Sequence, residues 1–197
     1  LILDQIGFRV TLVEGGYKAF RAAMLQDIPN HVARLNFRVV CGTTGSGKTR
    51  LLHALAAQGA QVLDLEGLAR HRSSVLGAIP GTPQPTQKHF DSLIWDALRR
   101  LDSTRPVYVE SESKKVGNVA IPTALVERMR ASPCLDLTLP MAERVALLME
   151  DYDCFVQDQE HFCNRLDALT VMRGKAVIDA WKTQVRAGDI RPVVQAL

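Results

Sequence analysis

Val39-Val40-Cys41-Gly42-Thr43-Thr44-Gly45-Ser46-Gly47-Lys48-Thr49 is the stretch that decides the fold. From Gly42 to Thr49 it matches G-x-x-x-x-G-K-T, the pattern of a phosphate-cradling P-loop. Glycines at 42, 45 and 47 let the backbone take conformations that a side chain would block, so several N–H groups can converge on phosphate oxygens. Gly42, Thr43, Thr44, Gly45, Ser46, Gly47, Lys48 and Thr49 are therefore the expected phosphate-binding residues. Lys48 supplies a cation for terminal phosphates, Thr49 a hydroxyl for bound magnesium, and the next helix aims its N-terminal dipole at the same anion.

The flanks agree with that reading. Leu35 to Cys41 is rich in strand formers, and Leu51, Leu52, Leu55 and Ala56 recur at helical spacing. Further strands are expected at Gln61–Leu65, Pro106–Val109 and Cys134–Leu139, with helices over Phe90–Leu101, from Pro122 and from Pro140. The alternation predicts an α/β fold: a P-loop NTPase-like parallel sheet with helices on both faces. From Asp153 onward the pattern is helical throughout, with Phe155, Phe162, Leu166 and Leu169 on one face and Val177, Ile178, Trp181 and Val185 on another. The expected division is 1–30, a separate N-terminal piece; 31–152, the P-loop domain; and 153–197, a helical extension packed on it.

Composition sets the outer bounds. A hydrophobic content of 47% with 23% charged residues is that of a globular chain, and no apolar run is long enough to span a membrane. Residues 1–100 hold 12 Lys/Arg against 7 Asp/Glu, so the P-loop half is the basic half, which suits an anionic ligand or RNA. Cys41, Cys134, Cys154 and Cys163 form neither C-x-x-C pairs nor zinc spacing, and Cys41 and Cys134 are expected as buried strand residues in a protein of the reducing cytoplasm.

Other candidates follow from position. Glu110, the first acidic residue after the apolar strand Pro106–Val109, stands where P-loop folds keep a magnesium-organising carboxylate; Asp64, at the end of the second strand, is its rival. Lys48 and Glu110 are thus the candidate catalytic residues, and Thr49 and Glu110 the candidate magnesium ligands. The segment Glu66–Gln87, expected as a long loop, concentrates Arg70, His71, Arg72, Ser73 and Ser74 at the end of the sheet where such folds bind ligands. Lys114, Lys115 and Arg144 are further cations for a substrate or RNA backbone.

At the N-terminus, Arg9–Val13 alternates like a strand, Gly15-Gly16 turns, Lys18–Leu25 has helical spacing, and residues 26–34 with Pro29-Asn30 are expected as a linker. The run Gly7–Phe20 resembles the closing strand and helix of a rhodanese domain. No cysteine precedes Cys41, so the reactive cysteine of such a domain is not in this sequence. The chain opens on Leu1 and stops within the apolar run Val193–Leu197, so a piece of a longer protein is expected.

Five motifs together narrow the family. They are the P-loop, His71-Arg72-Ser73-Ser74-Val75-Leu76-Gly77, Gln84-Pro85-Thr86-Gln87 with Phe90, Val109-Glu110-Ser111-Glu112-Ser113-Lys114-Lys115-Val116-Gly117, and Arg173-Gly174-Lys175 followed by Trp181. This set resembles the tRNA 2-selenouridine synthase family, which joins a rhodanese domain to a P-loop domain. The resemblance implies a tRNA-modifying transferase that geranylates wobble 2-thiouridine with geranyl diphosphate and then installs selenium from selenophosphate. Taken alone, the P-loop and Glu110 also fit an ATP-dependent small-molecule kinase, against which the sequence shows no lid of clustered arginines. A non-enzymatic RNA-binding module is the third possibility.

Overall fold

The structure, a computed structural model, describes residues 2–72, 74, 77–79, 81–151 and 158–197. Its centre is a sheet in which the described strands are all parallel, in the order β2-β3-β1-β6. Here β1 is Asn36–Cys41, β2 Gln61–Leu63, β3 Pro106–Glu110 and β6 Cys134–Asp136, and a separate antiparallel hairpin joins β4 (Lys115–Val116) to β5 (Val119–Ala120). β3 lies between β1 and β2, with Val40 opposite Glu110 and Leu63 opposite Val109. That insertion brings the carboxyl ends of β2 and β3 beside the P-loop that leaves β1.

The pleat sorts side chains between the faces. Phe37 and Val39 of β1, with Val107 and Val109 of β3, join a core with Ile28 and Val32 from α2 (Gly16–Arg34), Phe90, Ile94 and Leu98 from α5 (Gln87–Arg99), and Leu125 from α6 (Thr123–Arg130). Burial of each large apolar side chain in this layer contributes about 1.5–3 kcal/mol. Val40 points the other way and is also buried, as is Leu52 of α3 (Lys48–Ala57), which packs against β2 and β3. Helices therefore cover both faces, as the alternation predicts.

A second core gathers Val145 and Leu148 of α7 (Met141–Asp151) with Phe162 and Leu166 of α8 (Gln159–Leu166), Ile178 and Val185 of α10 (Lys175–Arg186), and Val193 of α11 (Ile190–Ala196). A 3-10 turn, Asp167–Leu169, and α9 (Thr170–Arg173) connect α8 to α10. The expected stripe through Phe162, Leu166 and Leu169 is buried, whereas Val177 stays 40% exposed. The expected start of the helical pattern at Asp153 and the contribution of Phe155 lie outside the described residues.

The N-terminal expectations need correction. Residues 9–13 form no strand, because no neighbouring strand pairs with their backbone; only α1 (Ile2–Gln5) precedes α2. The expected linker 26–34 is helical, and α2 runs unbroken through Pro29. Met24, Ile28 and Val32 recur every fourth residue and are buried, while Pro29 sits on the exposed face, where the carbonyl it leaves without an N–H can reach water. α2 is also tied across to α5: Asp27 accepts a hydrogen bond from Trp95 Nε1 at 2.9 Å and lies 2.8 Å from His31 Nε2.

The loop expected over Glu66–Gln87 is shorter than its span, because Asp64 caps α4 (Leu65–Ala69) by accepting from Gly67 N–H at 2.8 Å. The second and fourth strands end earlier than expected, at Leu63 and Asp136. Cys134 is exposed on the edge strand, not buried, and is disulfide-bonded to Cys41. Parallel pairing of Val39 with Cys134 and Cys41 with Asp136 puts the two cysteines diagonally on one face, their Cα atoms 6.1 Å apart. No helix is long and apolar enough to cross a membrane among the described residues.

Candidate functional site

The P-loop bridges the end of β1 and the start of α3, and its shape depends on glycine at two close approaches. A Cβ on Gly42 would run into Leu137 O and Ser46 Oγ, and one on Gly45 would stand 2.6 Å from Leu148 Cγ. α7 thus buttresses the loop through its second turn, where Leu147 and Leu148 face Gly47 and Gly45.

Lys48 Nζ donates to Gly42 O at 3.0 Å and Thr43 O at 3.1 Å, folding the cation back across the loop's own carbonyls. Thr49, one residue on, points at acid: its hydroxyl donates to Glu110 Oε1 at 2.5 Å, with Glu66 Oε2 3.4 Å away. Carboxylate oxygens of Glu66, Glu110 and Glu112 lie within 4.8 Å of one another. Glu110 is only 4% exposed, and its carboxyl is pushed up to about 7. Burial is the main cause and the Glu66 charge adds to it, while the Thr49 hydrogen bond and Lys48 pull the other way.

These groups line a cavity of about 580 Å³. Gly42, Thr44, Gly45, Gly47, Lys48, Thr49, Arg72, Ser74 and Glu110 all reach it, as the sequence leads one to expect. Thr43 and Ser46 belong to the loop but do not line the cavity; Ser46 is buried with its hydroxyl turned toward Gly42. Arg70 and His71 open into a second cavity, of about 680 Å³, and Ser74 borders both. Ser73 lies outside the described residues.

Three expected cations are placed elsewhere. Lys114 and Lys115 are exposed and line neither cavity, because Lys115 pairs with Ala120 in the hairpin. Arg144 is half-buried and lines neither cavity either, since the loop rests on the second turn of α7 and not the first. Asp64, the rival of Glu110, is spent on the α4 cap, and Glu66 takes the place beside Thr49.

Glu66 and Glu112 are acids lining the cavity that the sequence reading did not place in the candidate set. The D-x-x-G cap at Asp64–Gly67 was the available signal that a helix starts here and that Asp64 is taken up as its cap. The hairpin had a signal too: Gly117-Asn118 is a two-residue turn pair. Its anchors are the amides of the Gln84-Pro85-Thr86-Gln87 motif. Gln84 donates to Ala69 O at 3.1 Å and Val116 O at 3.0 Å and accepts from Asn118 N–H at 2.8 Å. Gln87 exchanges both bonds with the Ala120 backbone, at 2.8 and 2.7 Å.

The donor set suits a hard divalent cation. Three carboxylates and a hydroxyl offer only oxygen ligands, and a cation among them would offset the repulsion that raises Glu110. Magnesium fits these residues.

Comparison with known proteins identifies the family. Residues 35–184 match the family model described as the tRNA 2-selenouridine synthase AAA domain. Among the similar proteins are those named tRNA 2-selenouridine synthase from Marinobacter nauticus (40% identical over 148 residues, 74% of this chain and 39% of the relative) and Alcanivorax borkumensis (33% over 192 residues, 96% and 52%). A third, from Nitrosomonas europaea, is 37% identical over 153 residues, 76% of this chain and 39% of the relative. The chain therefore spans between 39% and 52% of these relatives' lengths. With the family model covering the sheet, the P-loop and most of the helical extension, the chain belongs to the tRNA 2-selenouridine synthase family.

Proposed function

We propose that this chain is the phosphate-substrate half of a tRNA-modifying transferase that converts wobble 2-thiouridine to 2-selenouridine through a geranylated intermediate. The carrying observation is the single cavity that combines the P-loop, Lys48 and the Thr49–Glu110 pair with the basic Arg72. Such a site holds a diphosphate or selenophosphate without needing to hydrolyse a nucleotide. The N-terminal thirty residues belong, on this reading, with a rhodanese-like domain that carries the reactive cysteine of the whole protein.

In the first step the thiocarbonyl sulfur of the base attacks C1 of geranyl diphosphate. The C1–O bond breaks, its electron pair leaves with diphosphate, and the base N3 proton is lost to solvent. Negative charge develops on the leaving oxygens, and the P-loop N–H groups with Lys48 stabilise it there. To do so Lys48 trades the Gly42 and Thr43 carbonyls for phosphate oxygens. In the second step selenophosphate delivers selenium to C2, geranylthiol departs, and hydrolysis frees phosphate. Magnesium, when bound, supplies Lewis-acid neutralisation of the phosphate oxygens. Thr49, Glu66, Glu110 and Glu112 would hold it, and burial of Glu110 keeps that set of oxygens dry and fixed. On this reading the work is done in the cytoplasm, alongside the tRNA substrate.

The test is incubation of the full-length protein with 2-thiouridine tRNA, geranyl diphosphate and selenophosphate, followed by nucleoside mass spectrometry. Geranylated and then selenated uridine is expected; unchanged nucleosides count decisively against the proposal.

A further inference from the structure

The second cavity has no part in the phosphate chemistry. It lies between the end of α4, Ile79 with the segment Thr82–Thr86, and the tip of the β4–β5 hairpin, with Arg165 of α8 on its rim. Its volume of about 680 Å³ is in the range of cavities that enclose small ligands. The geometry points to this cavity as the receptor for a single unstacked nucleotide of the RNA substrate, its base against His71 and its phosphodiester toward Arg70 and Arg165. The inference rests on the tRNA reading above and assigns it a place.

Four observations carry it. First, His71 is nine-tenths buried on the cavity wall, and its Nδ1 has no hydrogen-bond partner. A buried polar atom left unpaired costs free energy unless a ligand completes it. Burial and, to a lesser degree, the Arg165 charge hold His71 below its ordinary range against the opposing pull of the Arg72 backbone, and so favour the neutral ring. A neutral imidazole can donate to a uracil oxygen or accept from its N3–H.

Second, the walls are fixed before any ligand arrives. Gln84 spends both N–H donors and its carbonyl oxygen on α4 and the hairpin, and Gly117, at φ +57°, lets the tip seat so closely that a Cβ would stand 2.8 Å from His71 Cδ2. Third, Arg70 is the one non-glycine residue among those described with positive φ, at 51°. That left-handed conformation ends α4 at a residue that lines the cavity, and such backbone strain collects at binding sites. Fourth, Ser74 borders both cavities, so a base held here stands next to a donor held by the P-loop.

The lining also decides which substrate portion fits. A geranyl chain calls for apolar walls throughout. Here Ile79, Pro83 and Pro85 alternate with Arg70, His71 and Arg165, the mixture that a flat heterocycle with a polar edge and an attached phosphate requires.

The experiment is photo-crosslinking of the full-length protein to an anticodon stem-loop carrying 4-thiouridine at the wobble position, with peptides mapped by mass spectrometry. Crosslinks on the peptides of His71, Ile79–Gln84 or Asn118 are expected. Asn118 is exposed and uses only its backbone N–H in the clamp, so Asn118→Trp blocks the cavity mouth without removing a structural bond. That variant is expected to weaken stem-loop binding at least tenfold while leaving its melting temperature and inorganic diphosphate binding unchanged. His71→Phe, which keeps the ring and removes the nitrogen, is expected to weaken binding about tenfold. Crosslinks mapping elsewhere, or unaltered affinity in Asn118→Trp, overturn the pocket and leave the tRNA reading standing. Absence of any RNA binding by the full-length protein overturns both.

Discussion

Thr49 Oγ1 donates to Glu110 Oε1 across 2.5 Å, joining the last residue of the P-loop motif to the last residue of the neighbouring strand. Residues 61 positions apart in sequence meet because β3 inserts beside β1, with Val40 in register with Glu110. The contact ties the phosphate-binding loop to a carboxylate whose charge state depends on what else is bound.

Metal-free protein should lose stability as pH rises through Glu110's titration. The folded-state value of about 7 lies above the ordinary 4.5, so the folded state binds the proton more tightly than the unfolded chain does. Stability is therefore fully present below about pH 4.5 and falls as pH rises through about 7, by about 3 kcal/mol in all. Thermal melts in EDTA should show a decline of about 5–10 °C from this group between pH 5 and pH 8. Glu110→Gln should remove that decline; an unchanged pH profile in the variant contradicts the assignment.

Magnesium should reverse the same penalty. At pH 8 added Mg²⁺ is expected to raise the melting temperature of the wild type, and to do so far less in Glu110→Gln or Glu66→Gln. Differential scanning calorimetry with and without EDTA reads this directly. Equal stabilisation of all three proteins would place the ion elsewhere.

Lys48→Ala should weaken binding of inorganic diphosphate by about 10- to 100-fold, the range for a lost charge-assisted hydrogen bond of about 1.5–3 kcal/mol. Stability should change little, because Lys48 bonds only to loop carbonyls. Isothermal titration calorimetry measures the first effect and thermal melting the second.

Gln84→Ala should release the β4–β5 hairpin. Three hydrogen bonds go with the side chain, for a net cost of about 2–4 kcal/mol. Hydrogen exchange should rise over residues 115–121, while β1 and β3 stay protected. Uniformly faster exchange through the sheet would show that the hairpin does not open independently.

What the sequence revealed was the local part of this architecture. Gly42 to Thr49 is contiguous, so its spacing alone specified strand, loop and helix, and Glu110 was recognisable because it ends an apolar run. Glu66 was not, since its approach to Thr49 and Glu110 depends on the strand order β2-β3-β1, which no local pattern encodes, and Glu112 was passed over because Glu110 follows the apolar run directly. Pro29 misled in the opposite direction: its local helix-breaking tendency was outweighed by burial of Met24, Ile28 and Val32 against the rest of the core. The pairing of Cys41 with Cys134 has the same origin as Glu66, a contact set by neighbouring strands far apart in the chain.

On the proposed function, the P-loop holds a prenyl diphosphate as a substrate. Titration of geranyl diphosphate into the full-length protein with Mg²⁺, with inorganic diphosphate and ATP as competitors, tests it most directly. Saturable geranyl diphosphate binding that inorganic diphosphate displaces and Lys48→Ala weakens by about 10- to 100-fold is the predicted result. Absence of that binding, or tight ATP binding accompanied by phosphoryl transfer, contradicts the account.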